Sequence, residues 1–293
     1  MKKLFLLTMA LCILFIGCEK DGVYNPTEKI KRISVQEQGG AKQLRQEWTW
    51  DKNLLKKIEY FYSYGTPSYD ERYVYEKNLL TRVEESDGWY WRVFYKDNLY
   101  DKVEYYDTKG SVVLSAKFTY SNKKISQVDI TEFYEDGGKS KISNGGFMSN
   151  LFSQELVQEI NKISSKSKSK ASSIVYNISF TYDKDNIKER IIAYNEPNYS
   201  FKITYQFEKY DTKLNPFYRF YTKLGMADFV GSKNNPLEII ATYSEIYDGE
   251  VDSERSTVTF DYTYDGKFPT EAVATERDSD GDIWRFTTYY EYQ

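Results

Sequence analysis

The residues of this chain that could do chemistry are carboxylates and aromatics. Its 293 residues include 44 Asp and Glu, 29 Tyr, 17 Phe and 5 Trp, no His, and two Cys, Cys12 and Cys18. Without imidazole there is no Ser-His-Asp triad, no Cys-His pair and no His-ligated metal. A general base titrating near neutral pH is also missing. Glycine-rich phosphate loops are absent, so no cofactor is expected. Carboxylate pairs remain, because glycoside hydrolysis needs only two acids about 5 to 9.5 Å apart. Most acids here alternate with Lys on polar faces, and no pair stands out. No catalytic residue is therefore assigned, and the protein is expected not to be an enzyme.

Two further groupings invite a ligand. Asp278, Asp280 and Asp282 with Gly281 suggest a calcium loop. An EF-hand loop, however, places Gly at position 6 and Glu at position 12; here Gly281 is at position 4 and Tyr289 at position 12. A polar hairpin turn is the simpler reading, and no metal site is assigned. Trp89 and Trp91 follow the Asp87-Gly88 turn, and Trp284 follows Asp280-Gly281. Trp89 and Trp91 share a face under period-two alternation. Near a hairpin tip, Trp89, Trp91 and Trp284 could form a platform for stacking sugar rings, with core filling as the alternative.

The elements that must position these residues repeat. Residues 48–58 (WTWDKNLLKKI), 73–83 (YVYEKNLLTRV), 93–103 (VFYKDNLYDKV) and 118–128 (FTYSNKKISQV) share one pattern. In each, the aromatic at Trp50, Tyr75, Tyr95 or Tyr120 is followed eight residues later by Ile or Val. Looser copies begin at Phe180 and Tyr262. Aromatic-x-aromatic is strand alternation entering a turn, and the Asp, Asn and Lys that follow tolerate left-handed backbone. The next apolar residues lead back as a second strand. The far ends close at Asp87-Gly88, Lys109-Gly110, Asp136-Gly137-Gly138, Asp248-Gly249 and Asp280-Gly281. Each unit is one hairpin. The expected fold is all-β: a repetitive antiparallel β-meander, strongly curved or closed into a barrel, with one helical insertion.

That insertion is expected at about 148–173. Leu151, Phe152, Leu156, Ile160 and Ile163 recur at helical spacing, and residues 164–173 (SSKSKSKASS) read as a flexible basic linker. It divides one sheet into halves, so 29–293 is read as a single domain.

The N-terminus reads as a leader. Lys2 and Lys3 precede an apolar run from Leu4 to Ile16, shorter than the roughly 20 residues a spanning helix needs and suited to a signal peptide. Leu14-Phe15-Ile16-Gly17-Cys18 resembles the lipobox of bacterial lipoproteins, although Phe15 stands where Leu is usual. That resemblance implies a signal peptide over 1–17, lipid on Cys18, and a lipidated tether over 18–28. The alternative is an ordinary secretory signal with an incidental Cys. Glu19-Lys20-Asp21 resembles the surface-export signal of Bacteroidetes lipoproteins, which implies an outer-membrane, cell-surface location; the periplasmic face is the alternative.

The repeats resemble the YD repeats of Rhs-type proteins through Thr49-Trp50-Asp51, Thr181-Tyr182-Asp183 and Thr263-Tyr264-Asp265, without the Gly-Arg-Leu that closes such repeats. The chain is more similar to Bacteroidetes lipoproteins of unknown function whose C-terminal domain has a porin-like fold. The segments carrying that likeness are 210–217 (YDTKLNPF), 232–236 (SKNNP) and 262–270 (YTYDGKFPT). It implies a fold and a compartment but no activity.

Net charge is −4, and loss of Lys2 and Lys3 with the leader makes it more acidic, so nucleic acid is not an expected partner. The mixed Tyr, Ile and Val face and the hydrophilic mean hydropathy favour a barrel in water over one in lipid. The expected function is non-enzymatic binding of a glycan or protein through an aromatic-rich sheet, with membrane contact through the lipid anchor. An envelope scaffold or a carboxylate glycosidase are the alternatives. Oligomeric state is not readable from these residues.

Overall fold

The computed structural model describes residues 26–61, 67–133, 173–196, 199–218, 232–247 and 249–293. Cys18 and the leader lie outside these residues, as does the expected helical insertion as far as Ser173. The strands are β1 (Ile30–Glu37), β2 (Gln43–Asp51), β3 (Leu54–Phe61), β4 (Pro67–Glu76), β5 (Leu79–Glu85), β6 (Tyr90–Lys96), β7 (Leu99–Tyr106), β8 (Val112–Ser121), β9 (Lys124–Phe133), β10 (Ser173–Asp183), β11 (Asn186–Glu196), β12 (Tyr199–Leu214), β13 (Asn234–Tyr247), β14 (Glu250–Asp265), β15 (Phe268–Arg277) and β16 (Ile283–Tyr292). Each pairs antiparallel with its chain neighbours, and β1 pairs with β16, so the meander is a closed barrel. Closure removes the two free edges an open sheet would carry.

The repeat is a bulged hairpin. Lys77-Asn78, Asp97-Asn98 and Asn122-Lys123 all have φ between 50° and 68°, the double-positive geometry of two-residue turns that matches strand twist. Leu55 and Ile58 are three apart, yet both are buried. The ladder allows this by slipping: Trp50 faces Leu55 and Thr49 faces Lys57, which leaves Lys56 as the added residue of a bulge. The same slip recurs at Val74/Tyr75, Phe94/Tyr95, Thr119/Tyr120, Thr181/Tyr182 and Thr263/Tyr264. The Leu-x-x-Ile/Val spacing is thus the mark of the bulge. Two of these tyrosines, Tyr95 and Tyr182, and Tyr292 at the end of β16 reach into a neighbouring hairpin. Tyr95 donates to the Leu80 carbonyl at 2.7 Å, Tyr182 to Ile125 at 2.9 Å and Tyr292 to Pro269 at 2.7 Å. A buried phenol needs such a partner, and a phenylalanine could not donate one.

Alternation assigns the two faces. Trp48, Tyr73, Trp91, Tyr105, Tyr176, Phe201 and their neighbours are almost wholly buried and face the interior. Their alternates face outward and are charged: Arg32 pairs with Glu47 at 2.8 Å, Lys57 with Glu59 at 2.8 Å, Arg72 with Asp70 at 3.2 Å and Arg82 with Glu84 at 3.1 Å. The interior is largely apolar, with Glu71, Glu85, Glu132 and Arg190 buried within it, and the outer wall is polar.

The two ends differ. The tight turns, the start of β1 and the end of β16 share one end, where the Gln293 amide donates to the Lys29 carbonyl. The longer connections lie at the other. At the tight-turn end, the chain after β12 crosses the barrel. Phe217 packs its ring 6.2 Å from Trp48 on β2 and 6.1 Å from Tyr290 on β16. Asn215, Ser232 and Asn235 are buried beside it. Asp211 accepts from the Asn235 backbone N–H and side-chain Nδ2, each at 3.0 Å, and from the Tyr264 hydroxyl. The segments 210–217 and 232–236 are therefore the parts of a plug.

Candidate functional site

Trp89 and Trp91 both project inward, as their shared face requires, but into packing. Trp91 is fully buried, stacked on Tyr105 with ring centroids 4.3 Å apart. Trp89 is half-buried against the same ring at 5.1 Å. Trp284 is 51% exposed. It stands on β16, with β1 to β5 intervening before β6, so the structure does not bring it to the other two. Its cross-strand partner is Glu276 and it lies two residues from Phe286, which faces Glu37 on β1.

Around Trp91 lies a site the alternation of acids with Lys does not reveal. Glu71 on β4 and Glu85 on β5 are register partners, both inward, with 0% and 5% exposure. Glu71 Oε2 accepts from the Tyr60 hydroxyl at 2.9 Å and the Tyr73 hydroxyl at 2.8 Å. Glu85 Oε1 accepts from Trp91 Nε1 at 3.0 Å, and Oε2 from the Tyr105 hydroxyl at 2.6 Å. The Tyr69 hydroxyl lies near the same carboxyl. Burial raises the Glu85 pKa above the ordinary glutamate value, and the hydrogen bonds from Tyr105, Tyr69 and Trp91 oppose that rise in part. Burial pushes the Tyr105 and Tyr69 phenols far up, and the neighbouring carboxyl groups add to it.

Most acids do lie on the outer wall beside Lys or Arg, but these two do not, nor does Glu132, which is also fully buried. The signal that could have found Glu71 is its phase: Tyr69-x-Glu71-x-Tyr73-x-Tyr75 places it on the aromatic face. Glu85 continues the Leu80, Val83 row after the bulge. The geometry gives a carboxyl pair with aromatic donors and no open face in this conformation, so a sugar ring cannot sit between the acids.

Asp278 uses its carboxylate on its own turn. Its Oδ1 accepts the backbone N–H of Asp280 at 3.0 Å and of Asp282 at 2.8 Å. Asp107 does the same with Lys109 at 2.9 Å and Ser111 at 2.8 Å, in a turn that lacks the other two acids. The hairpin alone accounts for the geometry at 278–282. Among the described residues no group of three or more acids and thiols is placed to hold a metal ion.

No protein-family model matches the chain, and no curated protein is similar to it. Solved structures are. A porin-like protein from Bacteroides uniformis superposes with a TM-score of 0.53 at 13% identity, covering 93% of this chain and all of that one. A porin-like protein from Bacteroides vulgatus gives 0.50 at 11% identity, covering 91% of this chain and 99% of that one. Likeness at such identities shows the fold, and the expected porin-like barrel is the fold observed.

Proposed function

We propose that this is a lipid-anchored outer-membrane protein that presents the end of its barrel opposite the Phe217 plug at the cell surface and binds a glycan or protein there without catalysis. The carrying observation is the polarity of the wall, largely apolar within and charged without. Placing this barrel in lipid would expose Lys57, Arg72, Arg82, Arg92 and Lys102 to hydrocarbon, at about 2–4 kcal/mol for each such residue near mid-depth. The plug at Phe217 likewise argues against a conducting lumen. A barrel standing in water needs an anchor, and Cys18 supplies one. The N-terminus leaves the plugged end at Ile30, so a tether over 18–28 holds that end towards the membrane and leaves the longer connections facing away. Burial of Glu71 and Glu85 supports the non-enzymatic reading over a carboxylate glycosidase. Trp284 and Phe286, exposed beside Glu276 and Glu37, are the aromatic surface left for a glycan.

The experiment is protease treatment of intact cells, with Cys18→Ser as companion. Loss of the protein from intact cells and release of the variant from the membrane fraction are expected. Protection until lysis would place it on the periplasmic face and favour the envelope scaffold. A purified chain lacking lipid that needs detergent to stay monodisperse, or that conducts in a planar bilayer, would overturn the reading.

A further inference from the structure

The barrel wall is not level at the end opposite the plug. β13 and β14 pair from Glu238 with Thr259 up to Tyr247 with Glu250. β14 and β15 pair from Asp265 with Phe268 only up to Thr257 with Arg277. Residues Glu250–Ser256 therefore have a strand on one side alone. Among the described residues, no backbone hydrogen bond outside the paired strands involves them. Glu250 to Arg255 are all exposed. Among the described residues this overhang therefore presents a row of amides and carbonyls that no strand pairs on the β15 side.

Its side chains are sorted by face. Glu250, Asp252 and Glu254 continue the interior face, in register with Tyr247, Glu245 and Tyr243 of β13. Val251, Ser253 and Arg255 continue the outer face, where Val251 is 69% exposed opposite Ile246 at 41%. One side of the edge is thus a line of acids backed by Glu245, and the other carries an apolar pair.

We propose that the β14 edge over Glu250–Ser256 is a strand-addition site for an extended segment of another protein that has Lys or Arg at alternate positions and small or apolar residues between them. Main-chain hydrogen bonds supply the affinity in this mode, and alternate side chains the selectivity. Basic residues on the interior face would stand directly across from Glu250, Asp252 and Glu254, within cross-strand reach. The residue facing Val251 would extend the apolar pair. A second copy of this chain is a poor occupant. Antiparallel self-pairing about Ser253 sets Asp252 against Glu254 on one face, and registers displaced by two residues also oppose acid to acid. The charges that exclude self-association are those that select a basic strand. The inference goes beyond the anchoring and surface display proposed above and does not depend on them.

The test uses the purified full chain and three fluorescent heptapeptides followed by polarisation. One alternates Lys with Val and Thr. The second has the same composition with its Lys residues clustered. The third keeps the alternating sequence but carries N-methyl groups on alternate amides. Binding of the first, weaker by tenfold or more for the other two, is expected. The bound peptide should slow hydrogen exchange over 250–256. The triple variant Glu250→Lys, Asp252→Lys, Glu254→Lys should lose the alternating peptide and keep the melting temperature of the parent, because all three side chains are exposed. Equal binding of all three peptides would reduce the effect to bulk electrostatics and overturn strand addition, as would no binding of the first. Protease protection on intact cells reports on the location alone, so the two readings can fail separately.

Discussion

Glu71 and Glu85 stand directly opposite one another on adjacent strands, both pointing into the barrel, both buried, and together they take hydrogen bonds from Tyr60, Tyr73, Trp91 and Tyr105. Neighbouring carboxylates repel when both are ionised, and burial makes the repulsion and the lost hydration larger.

The first prediction concerns pH. Burial holds the Glu85 pKa above its ordinary value near 4.5. A carboxyl raised on folding contributes stability at low pH, where it is protonated in both states, and loses that contribution as pH rises through its folded pKa. The melting temperature should therefore fall as pH rises above the ordinary glutamate value near 4.5. Glu85→Gln, which resembles the protonated form, should flatten that dependence. Thermal melts of parent and variant as pH is raised test it; parallel curves would assign the titration elsewhere.

Tyrosine ionisation gives a second. Burial pushes Tyr95 up to about 12 and raises Tyr75, Tyr100, Tyr182 and Tyr210 as well. These phenols stabilise the fold while neutral, and that contribution is lost as pH climbs past the ordinary value of 10. The tyrosinate absorbance at pH 11 should stay well below that of all 29 tyrosines and then rise in one step with unfolding. A smooth titration centred at pH 10 would mean the interior is wet.

Trp91 and Trp284 should separate core from surface. Trp91→Ala removes a fully buried indole and an N–H donor to Glu85, and should cost about 3–5 kcal/mol in urea unfolding. Trp284→Ala should change stability by no more than about 0.5 kcal/mol while abolishing any glycan-dependent thermal shift. A large stability loss from Trp284→Ala would place that indole in packing.

The plug supplies a fourth. Asp211→Ala leaves the Asn235 backbone N–H and the Tyr264 hydroxyl without their acceptor, at about 1–3 kcal/mol for a buried donor. The loss should appear as a lower urea midpoint with an unchanged slope, together with faster exchange of the Asn235 amide. An unaltered midpoint would mean that Phe217 and the hydrogen bonds of Ser232 and Asn234 hold the plug without Asp211.

The hairpin repeat is legible because the information it needs is local. Asn and Asp mark the turns, and the aromatic alternation marks the face. Leu80-x-x-Val83 even encodes a bulge, although only the ladder identifies it as one. Glu71 was visible as an acid in phase with Tyr69 and Tyr73, but nothing in the chain says that its neighbour across the strand is Glu85, because register depends on turn and bulge geometry together.

Residue types and spacing by themselves determined the strand content, the hairpin order, the polarity of the two faces and the absence of imidazole chemistry. Tertiary structure decided the rest. Closure of β1 on β16 and the crossing of Phe217 to Trp48 and Tyr290 join residues far apart in the chain. The overhang of β14 comes from a difference in length between paired strands. Local preference is summed over a few neighbouring residues, whereas closure, burial of a carboxyl pair and an unpaired edge depend on which distant strands meet and where each one stops.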